Sequence, residues 1–180
     1  MPGKLIFVSG LTGAGKTTLI GEALKNIDNL EVLLTYTTRP IRNGEENSYE
    51  YIFVDDKEYE DVKSQSDIWD ETVYNNHKYA SDAEKFINDL KNGKNVIVSV
   101  TPHIDEIRIM SKIYQTKPIT IWINTDPKTA YTRISSDLNR SARVEDENIK
   151  YTFDIIFEPT GKLNVDKESF AKLINDVIAS

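Results

Sequence analysis

Apolar residues along this chain fall into two rhythms. Short, nearly uninterrupted runs occur at Leu5-Ile6-Phe7-Val8, Val32-Leu33-Leu34, Val96-Ile97-Val98 and Ile119-Thr120-Ile121-Trp122-Ile123. Runs of that length and continuity suit strands buried on both faces. They predict strands over 4–9, 31–36, 95–100 and 118–123, with a fifth at 154–157. Between them the spacing changes to that of helices. Ile20, Ala23, Leu24 and Ile27 share one face, and Ala83, Phe86, Ile87 and Leu90 share another. Gly93 stands where the second of these helices would end. Asp126-Pro127 reads as a cap followed by proline at the first helical position. Phe170, Leu173, Ile174 and Val177 mark a final helix after Asp166. Strands alternating with helices predict an α/β fold, a parallel sheet covered by helices on both faces.

Two segments break this alternation. Residues 37–81 are polar, rich in Tyr, Asp, Glu and Asn, and too long for a plain connection. Residues 135–148 are charged and nearly devoid of apolar side chains, which suits a lid. The expected organisation is one domain. Its core comprises 1–34, 82–134 and 149–180, with an insertion at 35–81 and a small lid at 135–148.

Composition narrows the setting. The chain has 180 residues, 39% hydrophobic and 28% charged, enough for one domain with a core of its own. No apolar run approaches the roughly 20 residues that span a bilayer. The first strand begins by about Lys4, which leaves no room for a signal peptide. The absence of cysteine excludes disulfides, thiol nucleophiles and zinc–thiolate sites, and fits a cytoplasmic setting. A net charge of −7 argues against a nucleic-acid footprint. Neither nucleic acid nor membrane is an expected partner, and the chain would act as a monomer or homodimer. Any anion site must be local, so the position of each arginine carries information.

Residues 10–17, Gly-Leu-Thr-Gly-Ala-Gly-Lys-Thr, match the pattern G-x-x-x-x-G-K-[ST] between a predicted strand and a predicted helix. That arrangement aims backbone N–H groups and a helix N-terminus at an anion. The loop and its flank, Gly10, Thr12, Gly13, Ala14, Gly15, Lys16, Thr17 and Thr18, form the expected phosphate cradle of a P-loop NTPase fold. Lys16 would reach the β- and γ-phosphates of ATP. Thr17 would hold Mg2+.

A second anion site is suggested by Arg39 and Arg42, three apart beside threonines and a glycine turn. The string Thr-Thr-Arg-Pro-x-Arg-x-Gly-Glu at 37–45 closely resembles the guanylate kinase family. The likeness continues through Tyr51, Phe53, Trp69-Asp70-Glu71, Tyr79-Ala80-Ser81 and Gly93-Lys94. What the resemblance implies can be carried over by position. Arg39, Arg42, Tyr51 and Tyr79 would hold the monophosphate of an acceptor nucleotide. Thr35 would donate to the guanine carbonyl oxygen. A family glutamate at position 70 accepts from the guanine N1–H and amino group, and both Asp70 and Glu71 stand near that place here. Glu45 would orient an arginine or touch the base, and Ser81 would complete the pocket. The stretch 154–161 resembles the strand and loop where the donor adenine rests.

The chain also departs from the family. Where the family carries Leu-Asp-Ile-Asp, this chain reads Val98-Ser99-Val100-Thr101. The first of those aspartates supports the water shell of Mg2+, and the second helps to hold the acceptor. Ser99, through water, and Thr101 can hydrogen-bond there but bring no charge. Phosphoryl transfer needs cations around the moving group, and Arg133, Arg140 and Arg143 join Lys16 and Arg39 as catalytic candidates. No general base is required, because the acceptor phosphate oxygen is already anionic. The implied reaction is GMP plus ATP to GDP plus ADP. A kinase of the same fold with another phosphorylated acceptor, such as a different nucleotide or a sugar phosphate, and a non-catalytic binding module are the alternatives.

Overall fold

The structure, a computed structural model, describes residues 2–42, 45, 48–100, 111–134 and 147–180. Its larger sheet has five strands in the order β2-β7-β1-β8-β9, every neighbouring pair parallel. These strands are β1 (Leu5–Gly10), β2 (Leu30–Val32), β7 (Asn95–Ser99), β8 (Ile119–Ile123) and β9 (Ile155–Phe157). β1 is buried along its whole length and lies at the centre. Its side chains alternate between two cores, as strand geometry requires. Ile6 and Val8 pack with helix α1 (Lys16–Asn26) and the C-terminal helix α5 (Leu163–Ala179). Leu5 and Phe7 pack with helix α3 (Ala83–Lys91), whose predicted face of Ala83, Phe86, Ile87 and Leu90 is buried throughout.

The expected strand over 31–36 is instead two strands. β2 ends at Val32 in the large sheet, and β3 (Thr35–Thr37) begins a second sheet. Leu33 and Leu34 continue the apolar run because they pack into the α3 core while the chain crosses between sheets. An apolar run reports burial and cannot report which sheet a strand joins. The second sheet runs β4-β3-β6-β5, with β4 (Tyr51–Phe53), β5 (Trp69–Tyr74) and β6 (His77–Asp82). It is mixed: β3 pairs parallel with β4 and antiparallel with β6. Helix α2 (Asp56–Lys63) follows β4 and is closed by a capping box between Asp55 and Glu58.

Two helix ends test the cap reading. Asp126 Oδ2 accepts from the Thr129 backbone N–H at 2.9 Å at the start of α4 (Pro127–Ile134), as the Asp-Pro signal predicts. The last helix begins at Leu163, before Asp166 and not after it. Asp166 is buried within the first turn, and its carboxylate accepts from the N–H groups of Thr160 and Gly161. It ties down the loop ahead of the helix, a role that an aspartate before an apolar face does not reveal by spacing alone.

Phe170 of α5 is fully buried and meets Phe157 of β9 edge-on, with ring centroids 5.2 Å apart. Phe170→Ala should cost about 3–5 kcal/mol by leaving a cavity between α5 and the sheet. Chemical denaturation of the two proteins checks this, and a loss below about 1 kcal/mol would contradict the packing.

Candidate phosphoryl-transfer site

Strand β1 runs directly into the glycine loop and α1. Gly10, Gly13 and Gly15 have φ of 151°, 85° and 100°. At Gly13 the requirement is double. Its φ is left-handed, and an added Cβ would lie 2.4 Å from the Ala130 carbonyl oxygen of α4. Thr125 Oγ1 donates to the Ala14 carbonyl at 2.9 Å, so the loop is also held from the end of β8. Lys16 Nζ donates to the carbonyls of Gly10 and Leu11 at 2.7 and 3.1 Å, which folds its ammonium over the loop. Arg133 Nη1 donates to the Gly13 carbonyl at 3.2 Å. The lysine and this arginine therefore flank the same loop. Thr12 is half-buried, and Thr17 and Thr18 are exposed at the start of α1.

Register in the second sheet brings the other group together. Thr35 lies level with Tyr51 on β4, Thr37 with Phe53 on β4 and Tyr79 on β6, and Ser81 with Asp70 on β5. Because laterally paired residues share a face and neighbours along a strand alternate, Thr35, Tyr51, Tyr79, Ser81 and Asp70 share one face. Thr35 Oγ1 and Ser81 Oγ lie 3.5 Å apart there. Arg39 enters this face from the loop after β3. Its guanidinium carbon sits 5.4 Å from the Tyr51 ring centroid and 5.2 Å from that of Phe53. Tyr51 and Tyr79 meet edge to face at 6.5 Å. Glu45 Oε2 accepts from Arg39 Nη1 at 2.9 Å and from the Arg42 backbone N–H at 3.1 Å. Of the two roles open to Glu45, orienting an arginine is the one seen.

Glu71, next to Asp70, takes the opposite face. Its carboxylate accepts from Tyr59, Lys63 and Trp69, and it anchors α2 under the sheet. Adjacent positions on a strand cannot both serve one pocket, and the register gives Asp70 to the face shared with Thr35 and Ser81. Ser99 ends β7 level with Val8 of β1. Thr101, Arg140, Arg143 and residues 135–146 of the expected lid lie outside the described residues.

Two residues near this site carry no motif signal. Glu50, directly before β4, is buried and has Oε2 at 3.4 Å from Thr17 Oγ1, which donates to it. Tyr49 packs on Gly21 of α1 so closely that a Cβ there would fall 2.8 Å from its ring. A glutamate one residue ahead of a tyrosine in a polar insertion looks solvated in sequence, and only the docking of this segment on α1 distinguishes it.

A separate cavity of about 400 Å3 opens beside the glycine loop at the ends of β8 and β9. Leu11, Trp122, Asn124, Lys150, Glu158 and Pro159 contribute to its wall. Asn124 Nδ2 donates to both Glu158 carboxylate oxygens at 2.9 Å.

A central parallel strand feeding a glycine loop and helix, with helices on both sides of its sheet, defines a P-loop α/β protein. The guanylate kinase family model matches residues 2–176, and the chain belongs to that family. A guanylate kinase from Rubrobacter xylanophilus is 32% identical over 121 residues, 67% of this chain and 61% of that protein. One from Malacoplasma penetrans is 31% identical over 99 residues, 54% of this chain and 50% of that protein. The chain spans about half the length of the curated relatives it matches. The crystal structure of guanylate kinase from Anaplasma phagocytophilum superposes with a TM-score of 0.63 at 15% identity, covering 99% of this chain and 88% of that one. That likeness speaks for the fold.

The Tyr51 phenol is pushed up to about 12, first by burial and then by the neighbouring Glu50 charge, with Arg39 opposing. It therefore remains a hydrogen-bond donor well above neutral pH. The unfolded chain releases this proton near pH 10, whereas the folded protein retains it, so stability declines as pH rises above 10. Between pH 10 and 12 the unfolding free energy of wild type should fall more steeply than that of Tyr51→Phe. Parallel curves in denaturant titrations would contradict the placement of Tyr51.

Proposed function

We propose that this chain transfers the γ-phosphoryl group of ATP to the phosphate of GMP, yielding ADP and GDP. The observation that carries the reading is the pairing of two anion sites across one short contact. Lys16 and Arg133 flank the glycine loop, and Glu50-Tyr51 leads from Thr17 to the arginine–tyrosine face of the second sheet. Guanylate kinase relatives along most of the matched length support the same reading.

In this reading Gly10 to Thr18 cradle the triphosphate by backbone N–H groups at the start of α1. Lys16 swings from its two carbonyl acceptors to the β- and γ-phosphates. The cavity beside Leu11 and Glu158 takes the donor base. Arg39, pre-aimed by Glu45, together with Arg42, Tyr51 and Tyr79, binds the acceptor phosphate. Tyrosine donors and guanidinium forks match a dianion's oxygens. Thr35, Ser81 and Asp70 meet the base edge, where a carboxylate suits guanine's adjacent donors. Arg133 stabilises charge on the transferred group, as would Arg140 and Arg143 from the lid.

A magnesium ion fits the donor end. Thr17 offers an exposed hydroxyl at the start of α1, and the Glu50 carboxylate lies beside it. Among the described residues no group of three or more His, Cys, Asp or Glu could hold a metal. A cation here would draw its remaining ligands from phosphate oxygens and water, the pattern that magnesium favours. Bound there, it would neutralise charge on the β- and γ-phosphates.

ADP release from ATP should be fast with GMP and slow with AMP, CMP, UMP or no acceptor, each at equal concentration. Arg39→Ala should raise the KM for the acceptor by about one to two orders of magnitude, in line with losing roughly 1.5–3 kcal/mol of charged hydrogen bonding. Comparable turnover with AMP, or none with any nucleotide, would reject GMP and direct attention to another phosphorylated acceptor.

A further inference from the structure

Among the described residues, one carboxylate in this site has a partner on one oxygen only. Glu50 is 9% exposed, and its Oε2 accepts from Thr17 Oγ1. Its Oε1 is fully enclosed and finds no hydrogen-bond partner among the described residues. A buried carboxylate oxygen left unmatched is costly, which points to a group that faces it when the site is loaded. The surroundings limit what that group can be. Thr17 stands in the first turn of α1, directly after the glycine loop, and burial pushes the Glu50 carboxyl up while the Thr17 hydrogen bond and the Lys16 charge oppose it. An anion would be repelled by the carboxylate. A hydrated divalent cation held at Thr17 would not.

The backbone that carries Glu50 is also fixed in place, directly before β4. The Glu50 carbonyl accepts from the Thr35 N–H at 2.9 Å, and its N–H donates to Ser48 Oγ at 3.2 Å. Tyr49 on one side is wedged against Gly21 of α1, and Tyr51 on the other stacks beneath Arg39. Such bracing holds a carboxylate at a set distance from the loop. Ser99, at the end of β7, brings no charge of its own.

We propose that Glu50 is the carboxylate of this chain that engages the donor's magnesium ion, directly or through one of its waters. This rests on the ATP-binding reading above. It makes the Glu50-Tyr51 dipeptide a joint between the two sites, with metal on one residue and acceptor phosphate on the next.

The test is donor binding without turnover. The affinity of a non-hydrolysable ATP analogue is measured by calorimetry in Mg2+ and in EDTA, for the wild type and Glu50→Gln. The substitution should erase most of the gain that Mg2+ confers, about 10- to 100-fold, and leave affinity in EDTA unchanged or improved. Equal magnesium dependence in both proteins would overturn the role of Glu50 while leaving ATP binding standing. Failure of wild type to bind the analogue under either condition would overturn both readings. A second measurement needs no variant in the binding step. With carboxyl-13C glutamate in the wild type, Mn2+ and the analogue should broaden the Glu50 signal away and spare that of Glu71. A Glu50 signal that stays sharp would reject the proposal even if Glu50→Gln did not fold.

Discussion

The close packing of the glycine loop against its neighbours is the constraint on which the rest of the site depends. Gly13 leaves no space for a Cβ beside the Ala130 carbonyl, and Thr125 grips the Ala14 carbonyl from the other side. The loop is therefore shaped by α4 and the end of β8 as much as by its own glycines. β1 delivers it from the most buried position in the sheet, with a core on each face. A loop so braced is held in shape by its neighbours, and preorganisation of this kind is what electrostatic stabilisation of developing charge requires.

The second sheet solves a different problem. In the proposed reading it presents cations and donors to a phosphate within a chain whose net charge is −7. Glu45 settles the orientation of Arg39, and burial against Tyr51 and Phe53 limits its freedom. One attachment to α1 is made by Tyr49 and Glu50, whose neighbour Tyr51 already belongs to the arginine face. In the proposed reading, donor and acceptor ends are thus joined through three consecutive residues, a short mechanical path between the two sheets.

Much of this was legible in the chain and some was not. The glycine loop, the buried face of α3 and the Asp126-Pro127 cap follow from local rules of spacing and backbone freedom, and each stands where those rules put it. The run at 31–36 misled because Leu33 and Leu34 are apolar for the sake of a core that two different sheets share. Asp166 looked like a boundary and is a loop clamp inside the first turn of α5. Asp70 and Glu71 looked equivalent until register separated them onto opposite faces.

What the sequence determined by itself was local: which segments are buried, where glycine is needed, and which residue types can meet a phosphate. Those properties depend on a few neighbours along the chain. Tertiary structure decided which carboxylate faces which pocket. The choice between Asp70 and Glu71 needs the pairing of β5 with β6. The burial of Glu50 against Thr17 needs the contact of two segments 33 residues apart. Neither pairing leaves a mark on local spacing, because a carboxylate reads the same in sequence whether water or a phosphate loop lies beside it.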